Sequence, residues 1–161
     1  MAKEPKADRP FIPGYGISEE SEGILPWNWA EERLSRSRNY YLATTRPDGC
    51  PHVMAVWGVW FGGRYYFSTG EGSQKARNLR TNPECVVATD VLTEAVILEG
   101  RVKKATGPKT LQEFARVYKQ KYDWEMDPNG GDIYVLQPAK AFAFKEGADD
   151  FAQTATRWTF G

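Results

Sequence analysis

The sequence predicts a mainly β protein, an antiparallel sheet curled into a small closed barrel with helices packed outside. Three observations point there. About seven short runs dense in aromatic and β-branched residues follow one another, divided by turns that contain Pro or Gly. One of them, Ala95 to Ala105, is long and carries Gly100 inside it, which marks a bulge or a sharp bend. A few intervening segments place apolar residues at helical spacing.

Residues 1–23 are rich in Pro, Gly, Lys and Glu and read as a flexible N-terminal arm, with the folded domain over 24–161. Pro26 suits a first helical position, and Trp27, Ala30 and Leu34 then share one face of a helix. Asn39 to Arg46 is the first expected strand. Pro47-Asp48-Gly49 turns the chain, because Pro fixes φ and Gly supplies a positive one. Pro51 to Trp60 is the partner strand, Phe61-Gly62-Gly63 a second turn, and Arg64 to Thr69 a third strand of the meander. A short helix opens at Ser73 and stops at Asn82-Pro83. Cys85 to Val91 and Ala95 to Ala105 are strands. Pro108 to Tyr122 is an amphipathic helix with Leu111, Phe114, Ala115, Tyr118 and Tyr122 on one side. After the loop at Asp127-Pro128-Asn129-Gly130-Gly131, two short strands flank Pro138, Ile133 to Gln137 and Ala141 to Lys145, and the tail from Ala155 is extended. Apolar residues fall on both faces of Pro51 to Trp60, so its outer face needs a cover, and a second subunit is the expected one.

With 21 basic and 21 acidic residues, the chain lacks the basic excess of a nucleic-acid or membrane-surface binder. No apolar run reaches the ~18 residues of a membrane span, and no signal-peptide pattern opens the chain, so a cytoplasmic protein is expected. Cys50 and Cys85 lie far apart without metal-ligand spacing and read as reduced, buried or half-buried thiols. No metal site is expected. His52 is the single histidine and has no Cys/His cluster or adjacent carboxylate; it reads as a satisfied strand histidine. No G-x-S-x-G elbow is present, and no side chain stands out as an acid/base catalyst.

The run from Thr69 to Arg80 is the most informative. Its helix carries Lys75, Arg77 and Arg80 in what read as the first turns. Cations are disfavoured at a helix N-terminus, which already carries partial positive charge, unless an anion sits there. Open amide N–H groups, the Ser73 hydroxyl and the Lys75 ammonium together describe a phosphate site.

In their order, these motifs resemble the FMN-binding split-barrel superfamily, the pyridoxamine-phosphate-oxidase-like proteins, and within it the flavin/deazaflavin oxidoreductase branch. The resemblance spans roughly residues 26–160. It rests on Leu42 to Gly49, Pro51-His52, Val56 to Trp60, Tyr66 to Thr69, Ser73 to Leu79, Asn82-Pro83, Glu99 to Val102 and Arg157-Trp158. It implies a split antiparallel β-barrel of FMN-binding type, and a homodimer with two cofactor sites at the subunit interface. Thr44, Val56 and Trp57 are then expected beside the flavin ring. Ser68, Thr69, Ser73, Gln74 and Lys75 are expected at the phosphate, with Arg77 in support, and Arg157 and Trp158 reach the ring from the second subunit.

The implied activity is an oxidoreductase passing hydride to or from a small conjugated substrate. FMN is the expected cofactor and the deazaflavin coenzyme F420 the alternative. A non-catalytic flavin or haem carrier on the same fold is the alternative function. Two departures bear on this. Gln74 stands where the family's phosphate turn usually has Arg, which removes a bidentate fork. Met54 and Val59 stand where true pyridoxamine-phosphate oxidases carry Arg and Lys, so that activity is not expected here.

Overall fold

A computed structural model describes residues 4–130 and 132–161. Residues 1–3 of the expected arm and Gly131 of the expected loop lie outside the described residues. The elements in chain order are β1 (Lys6–Asp8), α1 (Trp27–Arg36), β2 (Tyr40–Thr45), β3 (Pro51–Val56), β4 (Gly58–Phe61), β5 (Arg64–Ser68), α2 (Gln74–Thr81), β6 (Glu84–Thr89), β7 (Glu94–Lys104), α3 (Pro108–Tyr122), β8 (Ile133–Lys145), α4 (Ala148–Thr154) and β9 (Thr156–Thr159). All pairings are antiparallel, in the order β1-β9-β8-β7-β6-β2-β3, with β4 on β5 and β5 on β8. This is a mainly β, split-barrel architecture with flanking helices.

The expected closure is corrected. The segment Pro51 to Trp60 is two strands, and Trp57 interrupts it. β3 pairs with β2, β4 pairs with β5, and the sheet does not close through hydrogen bonds. The covalent chain at Trp57-Gly58 joins the two halves instead.

Side chains of α3 hold that joint. Gly58 N–H donates to the Tyr122 hydroxyl at 3.0 Å, and Lys121 Nζ donates to Gly58 C=O at 2.9 Å. Lys121 also donates to the Tyr40 hydroxyl at 2.7 Å. The Trp57 indole stacks on the Tyr122 ring, 4.5 Å between centroids and nearly parallel at 6°. Gly58 is required, because a Cβ there would stand 2.1 Å from the Tyr65 hydroxyl.

Burial explains why β4, β5 and the start of β8 read as unbroken apolar runs. Trp60, Tyr65, Phe67, Tyr134 and Leu136 enter the barrel core, which α1 closes with Trp27, Ala30 and Leu34. Val59, Tyr66, Ile133 and Val135 point the other way and meet Phe114, Tyr118 and Tyr122 of α3. Both faces are therefore covered. The expected stripes on α1 and α3 are the ones that pack; Pro26 stands at the α1 N-cap rather than inside the helix.

The two strands expected around Pro138 are one. β8 bonds β5 through Leu136 and β9 from Lys140 onward, so Pro138, which has no N–H, falls where β8 changes partner. On its other side the β7 register shifts between Glu99 and Gly100, the expected bulge. A Cβ on Gly100 would lie 2.2 Å from Gln137 C=O.

α4 and β1 were not foreseen. β1 adds to β9, and the Arg9 guanidinium that follows donates to the carbonyls of Glu20, Glu22, Gln153 and Ala155 at 2.6 to 3.0 Å. Part of the expected arm is thereby tied to α4. Cys85 is buried, which pushes its thiol up to about 12, whereas Cys50 is exposed rather than covered. No helix among the described residues is long and apolar enough to cross a membrane.

Burial, more than the nearby Arg38, holds Lys121 down to about 8 from an ordinary 10.5, against the pull of Asp90. Between those values the unfolded chain keeps a proton that the folded chain has released, so this group makes stability rise with pH. Urea unfolding of the wild type and Lys121→Met, repeated from pH 7 to 10, is expected to show the difference in stability between them moving in the wild type's favour as pH rises above 8.

Candidate functional site

The corner at the start of α2 is built from four segments. Ser73 is the N-cap: its Oγ accepts the Ala76 N–H at 3.1 Å and lies 3.0 Å from Thr69 Oγ1. Thr69 is anchored by its own N–H to Asp132 C=O at 3.0 Å. With Ala76 N–H on Ser73 Oγ and Arg77 N–H on Ser73 C=O, the Gln74 and Lys75 amides are the open first-turn donors.

Asn78 ties the helix to the sheet. It is fully buried, donates to Thr44 Oγ1 at 3.0 Å and accepts from Gln74 Nε2 at 2.8 Å. Residue type alone assigns Asn78 no functional role; its one signal is a poor helix former in the middle of a helix. Across the sheet, Thr44 lies directly opposite His52, so both share one face.

The four residues Ser73, Gln74, Lys75 and Arg77 do not act alike. Arg77 Nη2 donates to Gln74 Oε1 at 2.8 Å and its Nη1 to Gly72 C=O. Both ends of the Gln74 amide are then engaged within the protein. Arg80 lies in the last turn of α2, not the first as expected, where a cation is favourable; it donates to Glu71 C=O at 3.1 Å. Among the described residues Lys75 makes no ion pair, nor does Arg46 at the end of the β2–β3 hairpin. Lys75 and Arg46 both act on His52. Its burial first, then these two cations, hold the imidazole below the usual histidine range. His52 Nδ1 is buried without a hydrogen-bond partner, which overturns the expectation of a satisfied histidine.

Other expected site residues lie elsewhere in the chain. Ser68 alternates to the opposite face of β5 from Phe67, toward the side that α3 covers. Val56 is buried four residues along β3 from His52, about 13 Å at strand spacing. Trp57 follows it and is 38% exposed on the α3 side. Arg157 and Trp158 are on β9 and point opposite ways. Trp158 is fully buried and packs edge-on against Trp27 at 5.3 Å, so within this chain its ring presents no face to a ligand. Arg157 faces outward opposite Phe142 and pairs with Asp8 at 3.3 Å. Grooves of about 620 and 550 Å³ lie beside Pro138 and Phe160, and neither reaches α2. Among the described residues, no group of His, Cys, Asp and Glu could hold a metal ion.

A phosphate-bearing ligand fits this corner by its chemistry: an ammonium without a counterion, open helix amides, a hydroxyl pair and a guanidinium near a turn. The sequence matches the family model described as pyridoxamine 5'-phosphate oxidase over residues 29–145. The chain belongs to that family. No curated protein matches it in sequence. A solved structure described as an F420 reductase is 29% identical, covering 69% of this chain and 94% of its own, with a TM-score of 0.55. Two more distant structures share the fold. A haem-binding protein from Mycobacterium smegmatis is 19% identical, covering 81% of this chain and 62% of its own at TM-score 0.61. A 5-nitroimidazole antibiotic resistance protein from Bacteroides thetaiotaomicron, itself assigned provisionally, is 9% identical, covering 99% and 96% at 0.61. The fold thus supports flavin-related oxidoreductase or binding roles.

Asn78 positions the corner and Lys75 faces out of it, and stability separates the two. Asn78→Ala strands the Thr44 hydroxyl and is expected to cost about 1–3 kcal/mol in urea unfolding. Lys75→Ala is expected to stay within about 0.5 kcal/mol of wild type.

Proposed function

We propose that this protein is an oxidoreductase that anchors a phosphorylated flavin-type cofactor, FMN or the deazaflavin coenzyme, at the start of α2. The observation that carries this reading is the set of donors left unused there: Lys75 Nζ, the Gln74 and Lys75 amides, and Arg46. Charge-assisted bonds from Lys75, with the dipole of α2, would hold the phosphate. Gln74 and Arg77 brace the turn instead of reaching the ligand, which accounts for a Gln in place of the family's usual Arg. The cofactor, when bound, supplies the hydride chemistry. Backbone groups around Val56 and Trp57 would meet the ring's polar edge, and the exposed Trp57 indole would exclude water from a flat, conjugated substrate. Proton transfer is left to solvent. Met54 and Val59 lack the charges of a true pyridoxamine-phosphate oxidase, so that activity is not proposed.

Equilibrium titration of FMN and of the deazaflavin coenzyme into the protein tests the site. Lys75→Ala is expected to weaken binding of the true cofactor by about 1.5–3 kcal/mol, roughly 10- to 150-fold. Unchanged affinity on that substitution would overturn the assignment. Turnover with NAD(P)H and an acceptor separates an enzyme from a carrier.

The site also needs a second wall, and we propose that a second copy of the chain supplies it. The outer sheet face runs through Val53 and Ala55, Tyr41 and Ala43, Val86 and Ala88, then Ile97, Phe142 and Arg157, as the cross-strand register dictates. Tyr41 is 46% and Val53 53% exposed on this face, an apolar surface without a cover in the single chain. A dimer on this face would carry Arg157 toward its partner. Light scattering after size exclusion is expected to give a dimer for the wild type and a monomer for Val53→Glu.

A further inference from the structure

His52 has no role in the internal contacts of this corner. Its Nδ1 is buried and, among the described residues, has no hydrogen-bond partner, so its desolvation is not offset. It sits opposite Thr44, whose hydroxyl is bonded to Asn78 of α2, so the ring belongs to the same corner as the open amides. The charged groups whose fields reach it are Arg46 from the hairpin and Lys75 from α2. Asp48, in the hairpin turn, acts on Arg46, and its carboxylate is occupied by the Cys50 N–H at 3.0 Å. Two cations therefore bear on the imidazole, and both are candidates to be neutralised by an incoming anion.

We propose that His52, which shares the sheet face of Thr44 beside α2, takes up a proton from solvent as the phosphate of the cofactor docks near Lys75 and Arg46, and so becomes a third cation of the site. This rests on the phosphate reading of the α2 corner. The physical cause is one of sign. Within the protein alone, burial and two like charges oppose the imidazolium. A phosphate compensates both cations and adds negative charge near the ring, so the protonated form is the one that the complex stabilises. By linkage, binding then strengthens as pH falls through the range where His52 titrates. A cofactor would be held more tightly in mildly acidic conditions, with no change in the protein's fold.

Because the chain has one histidine, its Cε1–H proton is a single, unambiguous NMR signal. Titrating that signal with pH, without and with saturating FMN or deazaflavin coenzyme, is expected to show the midpoint rising by one unit or more in the complex. The dissociation constant of the wild type relative to His52→Gln should fall up to tenfold per unit of that rise between pH 8 and 6. The second proton of the FMN phosphate titrates near pH 6 in both proteins and cancels in that ratio. Binding with an unmoved His52 midpoint would overturn the proton-uptake proposal and leave the phosphate site standing. Failure of both cofactors to bind wild type would overturn the phosphate reading and this proposal with it. The wild-type NMR titration decides the matter even if His52→Gln does not fold.

Discussion

A barrel whose end strands do not hydrogen-bond to each other needs another source of closure, and here it is the grip of α3 on Gly58. Tyr122 and Lys121 take the N–H and C=O of the residue at which one strand becomes two. The Tyr65 ring packs where a side chain at 58 would be. Once that joint is fixed, β3 is committed to β2 and β4 to β5, and the two cores on either side of β4 follow. Buried backbone polar groups must find partners. A bend that takes a strand out of its ladder is stable only because neighbouring side chains replace the missing ladder bonds.

The same economy appears at α2. The Ser73 cap, the Gln74–Asn78–Thr44 chain and the Arg77 brace are all internal contacts. They engage the side chains around the helix start, while the Gln74 and Lys75 amides stay open and, among the described residues, the Lys75 ammonium has no ion-pair partner. A rigid frame around an uncommitted charge is what preorganised anion binding requires, because the ligand then does not have to order the site.

Much of this was legible in the sequence. Strand runs, the turn at Pro47-Asp48-Gly49 and the bulge at Gly100 follow from local chemistry, as does the apolar face of α3. What was not legible depended on distant partners. Gly58 beside Trp57 allows a break there, but the residues that hold it lie in α3 and fix it only through tertiary packing. Pro138 reads as a breaker until β8 is seen to switch from β5 to β9 at that point. At the site, cap chemistry is legible at Ser73, the N-cap of α2, and the structure sets Thr69 beside its hydroxyl and Thr44 on Asn78 of the same helix. Gln74 and Arg77 bond to each other across one turn, a pairing that residue types alone do not announce. The Asn78 bond to Thr44 and the unpartnered His52 nitrogen are not legible locally, because both depend on which residues another element brings near.

The alternation on β9 has a consequence for how this chain can vary. Trp158 fills the core and Arg157 looks outward on the same four-residue strand. Inserting or deleting one residue just before it would exchange their sides, driving a guanidinium inward and an indole into water. The carboxyl-terminal edge therefore tolerates change by replacement but not by length. Any lineage that reshapes the outward arginine's surroundings must do so without touching the spacing that seats the tryptophan.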